Sequence, residues 1–144
     1  MDSAGAPDGI AAPDLEQLDP AECRRLLGRG GVGRLALRGS EAPEIRPVNF
    51  ALVGDRLIVR TGDGSILAAA RAGEAAGFEI DEIDRLEHTG FSVVARGRLS
   101  VLPSDASLLA LPVRPWASGL KDRFVGLSLE HVSGLRIPPG RGNR

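Results

Sequence analysis

Apolar and polar positions alternate along most of this chain, and the alternating runs follow one another closely. With side chains of a strand pointing to opposite faces, such alternation predicts half-buried strands. The runs are Arg34–Leu37, Glu44–Val53, Arg56–Thr61, Ala75–Asp84, Phe91–Leu102, Asp122–Leu129 and Val132–Ile137. Gly54-Asp55 marks a tight turn between the second and third. Leu86 to Gly90 connects the fourth and fifth. Helical spacing appears in three places. The first helix starts after Asp19, an N-cap residue, with Pro20 suited to the first helical position and Glu22 three residues beyond the cap. Leu18 can staple onto Cys23, Leu26 and Leu27 extend the apolar face, and Gly28, Gly30 and Gly31 end it. A second helix is expected from Ser65, read as its N-cap, to about Ala72. A third starts at Pro103-Ser104-Asp105 and runs through Leu108, Leu109 and Leu111.

About six or seven strands with two or three short helices make the chain mainly β. Most strands succeed one another with no helix between them, so the sheet should be antiparallel and close into a barrel. The helix at Ser65 is an insertion between strands, which argues against a doubly wound dinucleotide-binding fold. Residues 1–14 are rich in Ala, Gly, Pro and Asp and read as a disordered tail. Residues 139–144 read as a flexible tail, leaving one domain over 15–138.

Composition narrows the function. The 144 residues are 42% hydrophobic, enough for a globular core. A net charge of −1 argues against a general nucleic-acid binder, which needs a basic surface. Cys23 is the only cysteine, so there is no intrachain disulfide framework, and a reducing compartment fits. His88, His131 and Cys23 give no metal-ligand spacing. No apolar run approaches the roughly 20 residues that cross a bilayer. The N-terminus lacks the basic start and apolar stretch of a signal peptide, so a cytoplasmic protein is expected.

Candidate chemistry centres on Arg60-Thr61-Gly62-Asp63-Gly64-Ser65. A strand end, two glycines and a helix start place backbone N–H groups beside an arginine and two hydroxyls, a seat for a phosphate. The plain alternative is a solvated strand end and an ordinary helix cap. Pro47 cannot donate to a strand ladder, so it marks an edge, a bulge or a strand opening. Unpaired backbone there, with Asn49 adding a hydrogen bond, could face a ring system; protection of an edge strand explains Pro47 equally simply. Trp116, the only tryptophan, follows Arg114 and Pro115. It is either an anchor for a satellite core or a platform for an aromatic ligand or a subunit. Glu79, Asp81, Glu82, Asp84 and Glu87 read as a solvated acidic face. No Ser-His-Asp, Cys-His or paired-carboxylate arrangement stands out, so an enzyme here would borrow its reactive group from a cofactor.

Together these segments resemble a known family. The order of the first helix, Gly33–Leu37, Arg46–Leu52, Arg60–Ala70, Ala75–Asp84, Gly90–Leu99 and Arg114–Leu127 is similar to the pyridoxamine 5′-phosphate oxidase-like, FMN-binding split-barrel proteins. More narrowly, the chain resembles the actinobacterial flavin-nucleotide-binding branch, over roughly Leu18 to Ile137. The resemblance implies a split β-barrel and a homodimer with FMN at the subunit interface. It implies that Arg46, Pro47, Val48 and Asn49 run along the isoalloxazine ring, and that Arg60, Thr61, Gly64, Ser65, Ile66 and Leu67 hold the phosphate. Arg114 and Trp116 would approach from the other subunit. The family's phosphate segment usually reads Gly-Ser/Thr-Lys-Leu, whereas this chain has Gly64-Ser65-Ile66-Leu67. Loss of a close cation would cost about 1–3 kcal/mol, roughly tenfold to a hundredfold in affinity, so weak FMN binding is expected. Phe91 stands where tryptophan is common.

The first expectation is therefore a flavin-dependent oxidoreductase without authentic pyridoxamine phosphate oxidase activity, because no second phosphate site for that substrate is evident. The second is a deazaflavin-dependent reductase, its longer anionic tail met by Arg24, Arg25, Arg29 and Arg34. The third, motivated by Ile66, is a non-catalytic dimeric module that has lost its cofactor.

Overall fold

A computed structural model describes residues 15–114 and 123–139. Both tails, Trp116 and its neighbours 115–122 lie outside the described residues, apart from Pro139.

The alternating runs form strands as their pattern predicts. After a two-residue β1 (Glu16–Gln17) come α1 (Pro20–Gly28), β2 (Gly31–Leu37), β3 (Glu44–Val53) and β4 (Arg56–Thr61). Then follow α2 (Ser65–Arg71), β5 (Ala75–Asp84), β6 (Thr89–Leu102), α3 (Ala106–Leu109), β7 (Arg123–Ser128) and β8 (His131–Ile137). Every described strand pairing is antiparallel. The sheet order is β1-β8-β6-β5-β2-β3-β4-β7, and β7 pairs again with β6. That second pairing closes a six-stranded barrel of β6, β5, β2, β3, β4 and β7, with β8 and β1 as an extension. The chain is a split β-barrel, mainly β with short helices.

The length of β6 makes the split. One edge pairs with β5 from Thr89 to Arg98. The other edge pairs with β8 from Gly90 to Arg96 and with β7 from Leu99 to Leu102. One strand thus belongs to the barrel and to the extension.

Inward-facing positions of the strands supply the core: Leu35, Val48, Phe50, Leu57, Val59, Phe78, Val93, Ala95, Leu99 and Leu127 are buried. Phe50 and Phe78 meet edge to face with ring centroids 4.8 Å apart, a favourable aromatic geometry. Gly33 makes room for them, since a Cβ there would lie 2.2 Å from Cζ of Phe78. The helices close the remaining apolar surface. Asp19 caps α1 by accepting from the Glu22 N–H at 2.8 Å, and α1 buries Cys23, Leu26 and Leu27. Burial, with the nearby carboxylates of Asp19 and Glu22, pushes the Cys23 thiol above its usual range, as expected of a packing residue. A smaller cluster of Ile58, Leu102, Val113 and Phe124 packs with Leu108 and Leu111, so the segment after β6 covers the outer face of β4 and β7.

Two local expectations need correction. Gly31 opens β2 instead of ending α1; Gly30 and Gly31, with φ of 67° and 107°, make the turn between them. Ser65 is the first residue of α2, and Gly64 is its N-cap, with φ 153° and no side-chain cap bond. The Ser65 hydroxyl is committed elsewhere.

Candidate functional site

The start of α2 faces the start of β3. Glu44 and Arg46 are two residues apart on β3 and so share a face. The Arg46 guanidinium donates to Ser65 Oγ at 2.7 Å and, through Nε, to Glu44 Oε2 at 3.1 Å. Ser65 Oγ in turn donates to the same carboxylate oxygen at 3.2 Å. This triad is half-exposed, with side-chain accessibilities of 45% for Arg46 and 42% for Glu44. Glu44 is the residue that sequence reasoning missed. Its signal was available in the i, i+2 spacing with Arg46 on one strand face.

Arg60 and Thr61 lie at the end of β4, opposite Phe124 and Arg123 of β7. The Arg60 guanidinium sits 5.7 Å from the Phe124 ring centroid, a cation–π contact that orients it. Gly64 opens onto free space, since a Cβ there would meet nothing within 4 Å. The first N–H groups of α2 therefore sit beside an open volume.

Ile66 and Leu67 point away from that opening. Both belong to the main core, 5% and 1% exposed. The side chain at position 66 is thus part of the packing of α2, not one wall of a phosphate seat.

The second part of the site lies on the opposite face of β3, where Ile45, Pro47 and Asn49 alternate with inward-facing Val48 and Phe50. Pro47 pairs in register with Arg34 of β2, while β4 pairs with β3 only from Ala51 to Val53, so Pro47 lies on a stretch of β3 that is paired along one side only, as a proline at a strand edge should. Asn49 Nδ2 donates to the Arg114 carbonyl at 2.8 Å. That bond ties the segment after α3 to β3 and unites two residues 65 positions apart. The structure thus joins Arg46 with Ser65, and Asn49 with Arg114. Trp116 lies outside the described residues.

A profile described as pyridoxamine 5′-phosphate oxidase matches residues 19–136. The chain belongs to the pyridoxamine 5′-phosphate oxidase family. An uncharacterised protein of Mycobacterium tuberculosis is 34% identical over 135 residues, 88% of each chain. The FAD-binding protein of Mycobacterium smegmatis is 26% identical, with a TM-score of 0.70 over 85% of this chain and 100% of that one. A FAD-binding protein of Mesorhizobium loti shares the fold at 24% identity, TM-score 0.72, over 87% of this chain and 98% of that one.

Within this member of the pyridoxamine 5′-phosphate oxidase family, the arginines first considered for a long anionic tail are occupied. Arg24 pairs with Asp55 at 2.5 Å, Arg25 with Glu22 at 2.7 Å, and Arg29 with Glu82 at 3.0 Å. Arg34 reaches Glu79 at 3.0 Å and Asp81 at 3.5 Å. Burial, then the hydrogen bond and charge of Asp81, raise the Glu79 carboxyl to about 7, despite Arg34 pulling it down. These pairs form neutralised patches, not a continuous basic groove.

Proposed function

We propose that the protein binds a flavin nucleotide, FMN in the first instance, as a flavin-dependent oxidoreductase that assembles as a homodimer. The observation that carries this reading is the Arg46–Ser65 contact at 2.7 Å, beside the open start of α2, in a chain of this family. Flavin binding by the Mycobacterium smegmatis neighbour supports it. Arg46, Arg60, Thr61, Ser65 and the first N–H groups of α2 would hold the phosphate, and the backbone of Pro47 to Asn49 would lie along the ring. A bound flavin supplies hydride or electron transfer, while this chain supplies binding and orientation. Asn49 holds the Arg114 segment against the ring-binding strand. Arg114, held by Asn49 of its own subunit, would line that subunit's site, and Trp116 would approach from a second subunit. We place the protein in the cytoplasm, where a single buried thiol is stable.

Glu44 sets the strength of binding. Its carboxylate neutralises Arg46 and would oppose a phosphate at the same seat, so weak FMN affinity has a physical cause other than Ile66. Titration of the purified protein with FMN, FAD and a deazaflavin, followed by visible absorbance and sedimentation, tests the reading. Binding of FMN by a dimer, lost in Arg46→Ala, is expected. A colourless protein that binds none of the three overturns it, and tightest binding of the deazaflavin moves the assignment to a deazaflavin-dependent reductase.

A further inference from the structure

A cleft of about 480 Å³ lies on the outer face of the sheet where β2, β5, β6 and β8 run side by side. It shares no residue with the proposed flavin seat. In the strand register Ala36 faces Gly77, Gly77 faces Arg96, and Arg96 faces His131. One row across four strands thus has a floor with almost no side chain, and an arginine and a histidine at its far side. Arg98, two residues further along β6, points to the same face, and Arg38 stands on the β2 side.

The arginines of this cleft are less fully paired than those along α1, β2 and the start of β3. Arg24, Arg25, Arg29, Arg34, Arg46 and Arg136 each have a carboxylate oxygen within 3.1 Å. In the cleft, Arg38 has only Glu74 at 3.9 Å, and Arg98 donates to the Gly73 carbonyl at 3.1 Å. Arg96 has no side-chain hydrogen bond or ion pair among the described residues. The single carboxylate of the lining, Glu130, accepts from the Ser128 hydroxyl at 3.2 Å. With Arg38 offset by Glu74, Arg96 and Arg98 face one carboxylate, Glu130, a local excess of positive charge in a chain whose net charge is −1. Two guanidiniums two residues apart on one strand face repel where counter-ions are too few, and a polyvalent oxyanion relieves that repulsion. Guanidinium forks match phosphate oxygens in geometry as well as charge. The flat Ala36–Gly77 floor suits an apolar ring, and the volume is that of a small-molecule site.

We propose that this cleft binds a small organic phosphate, its phosphate held by Arg96 and Arg98 and its flat apolar part lying on Ala36 and Gly77. The site is separate from the flavin seat.

Phenyl phosphate is the probe, titrated into the full-length protein by calorimetry and amide NMR, with inorganic phosphate and phenol as controls. Gly77→Val tests the floor. A Cβ at position 77 would meet its nearest atoms, Ala36 Cβ and the Ala95 carbonyl oxygen, at 3.8 Å, so the backbone tolerates it while the cleft fills. Phenyl phosphate should bind more tightly than either control and shift the amides of Gly77 and Arg96. Arg96→Gln should weaken binding about tenfold or more, the loss expected of one charge-assisted contact. Gly77→Val should abolish it while FMN titration and circular dichroism stay as in the parent. The proposal is overturned if phenyl phosphate does not bind, if both variants bind it as the parent does, or if Gly77→Val also removes FMN binding. Absence of FMN binding in the parent would overturn the flavin reading and leave this one standing.

Discussion

The Arg46 guanidinium donates a 2.7 Å hydrogen bond to the Ser65 hydroxyl, joining the start of β3 to the first turn of α2 across 19 residues of chain. Both groups also bond the Glu44 carboxylate, at 3.0 Å from Arg46 Nη2 and 3.2 Å from Ser65 Oγ. A phosphate seated there would compete with Glu44 for the same donors. Glu44→Gln keeps a hydrogen-bond acceptor and removes the charge. FMN affinity should rise about three- to tenfold, corresponding to about 1 kcal/mol for one partly screened repulsion. Calorimetric titration of parent and variant measures it. Unchanged or weaker binding would show that the phosphate does not lie beside Glu44.

Position 66 behaves as a core position. Ile66 is 5% exposed and packs within the main cluster. Placing a lysine there buries an ammonium with no described carboxylate partner, a cost of several kcal/mol. Ile66→Lys should therefore lower the urea midpoint sharply, and Ile66→Val should cost only about 1 kcal/mol. A folded Ile66→Lys protein with parental stability and tighter FMN binding would restore position 66 to the phosphate seat.

Glu79 gives the fold a pH dependence. Its carboxyl is raised from an ordinary value of 4.5 to about 7, first by burial and then by Asp81. Between those values the folded protein holds a proton that the unfolded chain has released. Stability therefore falls as pH rises from about 4.5 to 7, and this loss remains above 7. Glu79→Gln, which keeps a polar contact to Arg34, should flatten the decline and raise the melting temperature at pH 8 relative to the parent. Thermal unfolding of both proteins across this range checks the slope. A variant with the parental pH profile would remove Glu79 as its source.

The barrel was legible in the sequence wherever one face of a strand is buried and the other is not. The alternation of Val48 and Phe50 against Pro47 and Asn49 gave the limits of β3, and β4 and β5 were as clear. β1 carried no such signal, because Glu16 and Gln17 are both exposed and are held to β8 by backbone pairing and one long ion pair, Glu16 to Arg136 at 4.0 Å. At the candidate site, the residue types were legible but their directions were not. Ser65 resembles an N-cap by type, yet Gly64 reaches φ 153° and takes that position, freeing the hydroxyl for Arg46. The motif at positions 64–67 identified a segment, while helical phase decided that Ile66 faces the core. Glu44 escaped notice because a lone acidic residue at a strand start looks solvated until a distant helix is folded against it.

Gly97 lies where β6 passes from β8 to β7, between the Arg96–His131 and Leu99–Leu127 pairs. The chain end of β7 presses directly on it: a Cβ at position 97 would lie 1.6 Å from the Ser128 carbonyl oxygen. The neighbouring Arg98 N–H donates to Ser128 Oγ at 3.0 Å, which holds that approach. Backbone cannot yield as a side-chain tip can, so Gly97→Ala must push β7 away from β6 and open the barrel at its closing seam. A loss of about 3 kcal/mol is expected, the upper end of the range seen when a packed site is overfilled. Gly77→Ala is the control on the adjacent strand, where the nearest atoms stand at 3.8 Å and the change should be nearly neutral. Urea unfolding of the two variants separates a glycine required by barrel closure from one that only keeps a cleft open. Equal midpoints for both would mean that the β6–β7 seam does not depend on the close approach of Ser128.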